Sequence, residues 1–231
     1  MRLFPAALSV LLLAAHGPCA AQSPARGAAG ALRQAPQAAT TYNLALVRKL
    51  VTKVLKRSYP ELKGAQIEVS EFKGGESVFF RSNFAIWRAL RGKRCYRVQV
   101  NPRVYAKRPP LPALEAILAH ELAHTLEYHS RTRAQLMKLV GIFLSSRRSI
   151  AFERRTDLVT IERGYAAGLA SYRRWIYPLL SPKDLAKKRA TYLSPAEIAW
   201  VVAKGGADPR RFEGWKASPP RSLSEFHRSA P

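Results

Sequence analysis

The 231-residue sequence predicts an α+β fold, in which a small antiparallel or mixed sheet precedes a mainly helical part. Apolar residues recur at helical spacing before Pro60 and again beyond Pro112. Between residues 66 and 101, β-branched and aromatic residues dominate and partly alternate with polar ones, which is typical of strands. Because the strands lie together in one stretch of the chain, this order of elements indicates an α+β arrangement.

The first 21 residues have the layout of a secretory signal peptide. Arg2 precedes a short apolar run, and the small residues Cys19 and Ala21 mark a cleavage site after Ala21. The run is too short to cross a bilayer, which takes about 20 apolar residues. A lipoprotein signal with acylated Cys19 is the alternative, and Pro18 directly before it disfavours that alternative. We therefore expect an exported protein, periplasmic or secreted, with no transmembrane helix in its mature chain.

The rest of the chain divides by composition into three parts. Residues 22–41 are rich in Ala, Gln, Pro and Gly and predict a flexible linker. Residues 42–204 carry the helical and strand patterns and predict one folded domain. Residues 205–231 contain several prolines and predict a loose C-terminal tail.

The domain is expected to begin with a helix from Tyr42 to Ser58. Thr40 or Thr41 can cap this helix, and Pro60 ends it. The apolar residues that predict its buried face are Val47, Leu50, Val51, Val54 and Leu55.

Three strands are expected next. The segments Gln66–Phe72 and Ser77–Arg81 flank Gly74-Gly75, which predicts a β-hairpin. In the third segment, Cys95–Asn101, apolar and polar residues alternate, which predicts a strand with one buried face.

Helices are predicted for most of the chain beyond the strands. The pattern indicates one helix over Ala113–His129 and a longer one over Ile150–Tyr177. The apolar run Leu139–Leu144 between them predicts a core helix, with a membrane-grazing helix as the alternative. Ser181 and Ser194, each followed by proline, are typical N-caps of two further helices.

The helix predicted over Ala113–His129 contains the spacing of a zinc site. His120 and His124 are four residues apart, so their imidazoles project from one helical face toward a common point. Glu121 lies beside the first histidine, where it can act as the general base for a water that a zinc ion activates. The pattern predicts one zinc ion per chain and hydrolysis of a carbonyl substrate.

A catalytic zinc site needs a third protein ligand. Glu153 follows His124 by enough residues for a second helix to return across the first, and Asp157 lies four residues further on the same face. One of these carboxylates can bind the metal, while the other orients a ligand histidine. Glu127 and Glu162 are the alternative ligands.

The pattern His120-Glu-x-x-His124 followed by Glu153-x-x-x-Asp157 resembles the gluzincin, or thermolysin-like, clan of zinc metallopeptidases over residues 120–157. It is also similar to small bacterial zincins. The metzincin pattern does not fit, because its third histidine would occupy position 130 and His129 arrives one residue early.

The resemblance implies a zincin-like fold with the motif helix at its centre, and a peptide or protein substrate. It implies that His120, His124 and Glu153 are the zinc ligands, Glu121 is the base and Asp157 orients His120. It further implies that the strand Cys95–Asn101 offers a free edge to an extended peptide, which favours an endopeptidase. The candidates left open for the residue that stabilises the oxyanion are Tyr165, Tyr172, Tyr192, His129 and His227.

The chain carries 39 basic and 15 acidic residues, for a net charge of +24. This charge predicts either a solvated basic surface or an electrostatic association with an anionic cell surface. No RNA-binding signature is present, so no specific nucleic acid partner is expected. The alternative function is a basic protein that binds cell wall, lipid surfaces or nucleic acid, with a structural or degenerate zincin fold. Glu121 argues against it, because a purely structural zinc site needs no base.

Overall fold

A computed structural model describes residues 40–75, 77–84, 95–132, 134–136, 145–205 and 208–228. The predicted signal peptide lies outside these ranges, as does the predicted linker apart from Thr40 and Thr41. The apolar run Leu139–Leu144 also lies outside them. Within them, no helix combines the length and the apolar character that crossing a membrane requires.

The described elements form an α+β fold with a small mixed sheet and a larger helical part. The strands are β1 (Gln66–Glu71), β2 (Phe80–Phe84) and β3 (Cys95–Val100). The main helices are α1 (Leu44–Ser58), α2 (Arg103–Lys107), α3 (Leu111–Ser130), α4 (Ser146–Thr160), α5 (Ala166–Ile176), α6 (Pro182–Thr191), α7 (Pro195–Gly205), α8 (Pro209–Ala217) and α9 (Leu223–Arg228). The first helix begins close to its predicted position, but Asn43 caps it in place of Thr40 or Thr41 by accepting a hydrogen bond from Leu46 N at 2.9 Å.

The sheet has the strand order β1-β3-β2, with β3 parallel to β1 and antiparallel to β2. The predicted hairpin is therefore wrong, because the first two strands both pair with β3 and not with each other. Tyr96, Val98 and Val100 of β3 are at most 1 % exposed, which suits a central strand. The expected free edge at Cys95–Asn101 is wrong for the same reason, since both edges of β3 are occupied. The outer strands are β1 and β2.

The motif helix α3 runs through the centre of the molecule. It packs against the sheet, α1, α4 and α5, and its middle is buried on all sides. Polar contacts fix its position: the Tyr59 hydroxyl donates to Ala119 O at 2.7 Å, and the hydroxyls of Ser82 and Thr125 are 3.0 Å apart. Contacts from the sheet and from the segment that follows α1 thus fix the position of α3.

The predicted helix over Ile150–Tyr177 is two helices separated by a π-helical turn, Ile161–Tyr165. Gly164 in this turn has φ 89°, a conformation that glycine adopts without steric cost. The change of direction lets α4 cross α3, while α5 packs closely along it. Gly168 of α5 makes that approach possible, because a Cβ there would lie 2.4 Å from the Pro112 carbonyl oxygen.

The two predicted serine caps are confirmed, and the predicted loose tail is wrong. Ser181 caps α6 and Ser194 accepts from Glu197 N at the start of α7. The tail folds back as α8 and α9 and places Trp215 and Phe226 in the core, at 2 % and 0 % exposed. Its prolines begin helices and loops, while its aromatic side chains supply the apolar area that anchors it.

Candidate metal centre

The α3 and α4 helices bring three predicted ligands to one point. His120 and His124 lie on one face of α3, with ring centres 4.7 Å apart. The Nε2 atoms of His120 and His124 are 3.3 and 3.2 Å from the same oxygen of Glu153, Oε2. The histidines are buried, whereas the Glu153 side chain is 21 % exposed and opens the site to solvent.

These separations fit a tetrahedral metal site. With metal–nitrogen and metal–oxygen bonds of about 2.0–2.2 Å, neighbouring ligand atoms in a tetrahedron lie about 3.3 Å apart. The two nitrogen–oxygen distances match that edge length, and all three ligand atoms lie within 4.8 Å of one another. Two imidazoles and one carboxylate form a donor set that zinc accepts. The group could therefore hold one metal ion with a coordination position left for water.

The His124 ring is oriented by neutral neighbours. Its Nδ1 lies 3.3 Å from the Thr156 hydroxyl oxygen, and that hydroxyl donates to Phe152 O at 2.9 Å. The Thr156 oxygen can then accept from Nδ1–H, which leaves the Nε2 lone pair directed at the site. The Phe152 ring stacks on His124 with centres 5.1 Å apart. The role of Thr156 was missed, although its position beside Asp157 on α4 could have suggested it.

The His120 ring is oriented by a charged network. Its Nδ1 lies 2.9 Å from Asp157 Oδ1, a close polar contact that falls outside hydrogen-bond geometry. Asp157 is fully buried and accepts from Arg173 at 2.8 and 3.0 Å and from Leu193 N at 2.8 Å. Burial would raise the pKa of Asp157, but Arg173 and His120 outweigh it and lower that pKa. Arg173 is a further site residue that the sequence did not indicate, because its partner lies on another helix.

The carboxylates increase the affinity of the His120 ring for a positive charge. Burial disfavours the protonated ring, but Asp157 and Glu153 outweigh that effect and raise the pKa of His120 to about 9. Glu153 responds in the opposite sense: burial would raise its pKa, and the two histidines lower it far below its usual value. A metal ion at Nε2 would gain from the same carboxylates that favour the proton.

Glu121 lies beside His120 and is held apart from other polar groups. It is 5 % exposed, and no side-chain hydrogen bond ties its carboxylate to the described residues. Burial raises the pKa of Glu121, while His120 and His124 oppose the shift. A carboxylate with raised proton affinity beside a metal site suits a general base.

The alternative ligands are engaged elsewhere. Glu127 forms an ion pair with Arg131 and lies 3.7 Å from Arg155. Glu162 pairs with Lys216 at 2.6 Å. Glu153 is therefore the carboxylate that the fold brings to the two histidines.

Of the five candidates for the oxyanion, Tyr192 alone has its ring packed against a ligand histidine. The others contact different partners: Tyr165 with Ser58, His129 with Tyr96, Tyr172 with Phe80, and His227 with Trp200. Tyr192 is half-buried, and its ring centre lies 5.9 Å from that of His120. No hydrogen bond joins its hydroxyl to the described part of the chain, so the group is available to a ligand.

No model of a known protein family, no curated protein and no solved structure matches this chain. Function therefore has to be inferred from the chemistry of the site and not from kinship.

Proposed function

We propose that the chain is an exported zinc peptidase of the gluzincin type, which acts in the periplasm or outside the cell on peptide or protein substrates. The observation that carries this proposal is the approach of two Nε2 atoms to one oxygen of Glu153, at 3.2–3.3 Å. His120, His124 and Glu153 would hold one zinc ion, which would polarise the substrate carbonyl and lower the pKa of water. Export is supported by the signal-like N-terminal sequence alone.

Glu121 would carry the proton during hydrolysis. In this mechanism, a carboxylate next to His120 would act on the water that attacks the carbonyl. Burial raises its pKa, so it accepts a proton from water more readily than an exposed glutamate does. It would then donate that proton to the leaving amine. Tyr192, whose ring packs against His120, would donate a hydrogen bond to the oxyanion.

The edge strand β2 is the better candidate for binding an extended substrate. It packs beside α3, where Ser82 contacts Thr125 at 3.0 Å, and among the described residues it pairs with β3 alone. Main-chain hydrogen bonds to its outer edge would bind a peptide with little dependence on side chains. Such a binding mode favours an endopeptidase.

The test combines metal analysis with peptide hydrolysis. The purified protein should contain about one zinc per chain, and His120→Ala or His124→Ala should lose it. Glu121→Gln should keep the zinc and reduce kcat by about 10²–10⁴-fold. Glu127→Gln, on the same helix but paired with Arg131, is the matched control and should leave both readouts unchanged. A Glu121→Gln variant that cleaves peptides at the parental rate would refute the assignment of the base.

The charge of +24 favours a second function, the binding of anionic surfaces. Exposed basic residues occur on two helices that contact each other, α4 and α6: Arg147, Arg148, Lys183, Lys187 and Arg189. If these residues bind anionic vesicles or DNA by charge alone, the affinity should fall steeply with added salt. Binding that persists at high salt would contradict this function. The two functions are compatible in a peptidase that works at an anionic cell surface.

A further inference from the structure

A lysine on α6 contacts the tyrosine that packs against the ligand histidine His120. The α6 helix packs against α4 and places the Lys188 ammonium 4.8 Å from the centre of the Tyr192 ring. The same ring lies 5.9 Å from His120. An ammonium this close to an aromatic ring makes a cation–π contact, which fixes a side chain that would otherwise be mobile. The contact with Tyr192 thus restricts the position of the Lys188 ammonium.

Unlike two buried arginines near the site, Lys188 has no carboxylate partner among the described residues. Arg173 bonds Asp157 at 2.8 Å, and Arg154 bonds Glu197 at 2.6 Å. Among the described residues, no carboxylate lies within ion-pair distance of Lys188. Burial lowers its pKa to about 8, with a smaller contribution from Arg173, while Glu153 and Glu121 act against the shift. Both carboxylates of the site therefore attract the ammonium electrostatically, although neither forms an ion pair with it.

A divalent ion at the site would change this balance. Glu153 would be neutralised as a ligand, so its attraction for the ammonium would be offset by the metal's own charge. A half-buried ammonium near a positive centre is disfavoured, so Lys188 would hold its proton less tightly until an anion binds beside it. A substrate bound at the metal can supply that anion.

We propose that Lys188, seated on Tyr192, forms an anion-binding subsite that takes a carboxylate of the substrate next to the cleaved bond. This rests on the proposed peptidase function and narrows it to acidic substrates. The carboxylate has two possible sources, an Asp or Glu side chain or the free C-terminus of the peptide. The chemistry at Lys188 is the same for both.

The test measures peptide binding without turnover, by calorimetry on the zinc-loaded Glu121→Gln protein. Two peptide pairs are compared: one sequence with a free or an amidated C-terminus, and one amidated sequence with Glu or Gln beside the scissile bond. Lys188→Met, added to this background, should weaken binding of the carboxylate peptide about tenfold or more and leave its neutral partner unchanged. Lys188→Arg should retain most of the affinity. Lys204→Met, at an exposed position on α7 outside the basic residues of α4 and α6, is the matched control and should change neither affinity.

The outcomes separate the sources and the possible failures. Discrimination within the first pair alone identifies the C-terminal carboxylate, and discrimination within the second identifies an acidic side chain. Equal affinity of the Glu121→Gln protein for both members of both pairs overturns the proposal, even if Lys188→Met loses zinc or folds poorly. An equal loss for charged and neutral peptides also overturns it, since that indicates a role in packing. Hydrolysis by the parent protein is measured separately, so binding that depends on Lys188 without any peptide cleavage would refute the peptidase function alone.

Discussion

His120 and His124 project from one turn of the same helix toward the same oxygen, yet the fold supports them in opposite ways. His120 is backed by a charged, fully buried network of Asp157, Arg173 and the Leu193 amide. His124 is backed by the hydroxyl of Thr156 and by a stacked phenyl ring. Both arrangements can orient an imidazole, but the charged one alone couples ligand orientation to the stability of the whole domain.

The charged residues of α4 also form hydrogen bonds with the segment of the chain that follows α6. Asp157 Oδ2 accepts from Leu193 N at 2.8 Å, and Arg154 on the same helix donates to Tyr192 O and to Glu197. The segment that carries Tyr192 toward the metal centre is therefore fixed by α4, the helix that supplies Glu153. The ligand Glu153, the orienting carboxylate of Asp157 and the backbone of Tyr192 are thus all held by α4.

The largest effect is expected from Asp157→Asn, which removes the charge and keeps the shape. Arg173 would be left buried without its counter-ion, so the free energy of unfolding should fall by about 3–5 kcal/mol. Zinc affinity should fall about 10–100-fold because His120 loses its orienting carboxylate. Urea unfolding and zinc competition with a chelator measure the two effects.

A second variant separates stability from metal binding at Asp157. Asp157→Asn combined with Arg173→Met removes both charges and should recover most of the stability. It should not recover zinc affinity, because no carboxylate would face Nδ1 of His120. If the double variant regained full zinc affinity, the network would serve the fold alone.

A smaller effect on the free energy of unfolding is expected from a change of pH, because His120 gains or loses a proton. Its pKa is raised from 6.5 to about 9 by Asp157 and Glu153 against the effect of burial. A group whose pKa is raised on folding stabilises the protein at a pH below its pKa in the unfolded chain. That contribution is lost as the pH rises through its pKa in the folded protein. In metal-free protein, the free energy of unfolding should therefore decline between pH 6.5 and about 9, by at most about 3 kcal/mol. Urea unfolding across this range measures the decline.

His120→Gln should flatten that decline, because the titrating ring is gone. Zinc-loaded protein should also lack it, since the metal takes the place of the proton at Nε2. An unchanged slope in metal-free His120→Gln would assign the titration to another group.

The elements that the sequence predicted well depend on neighbours along the chain. Helical periodicity predicts that His120 and His124 share one face and that Glu153 and Asp157 share another. The serine caps of α6 and α7 follow from the preference for serine just before a helix begins. These local rules were enough to predict His120, His124 and Glu153 as the ligand set. The contact of Glu153 with both histidines agrees with that prediction.

The features that were missed depend on contacts between distant segments. The strand β3 lies between β1 and β2, and nothing near Gly74-Gly75 could reveal that β1 would pair in parallel with β3. The C-terminal helices are held by Trp215 and Phe226 packing on Trp200, which local composition rich in proline concealed. Arg173 likewise finds Asp157 across two helices, a contact that no spacing rule anticipates.

The smallest effect is expected on the His124 side, from Thr156→Val. The change removes the hydroxyl that faces Nδ1 at nearly constant volume, so His124 loses the acceptor that fixes its tautomer. Zinc affinity should fall about tenfold, while the free energy of unfolding should change by only about 1 kcal/mol. Thr160→Val is the matched control: Thr160 is also buried on α4 and donates to Thr156 O at 2.8 Å, but it does not touch a histidine. Its zinc affinity should match that of the parent, and Thr156→Ser should restore most of what Thr156→Val loses. If Thr156→Val bound zinc as tightly as Thr160→Val, stacking on Phe152 would be sufficient to orient His124, and the two supports would differ even more than the contacts suggest.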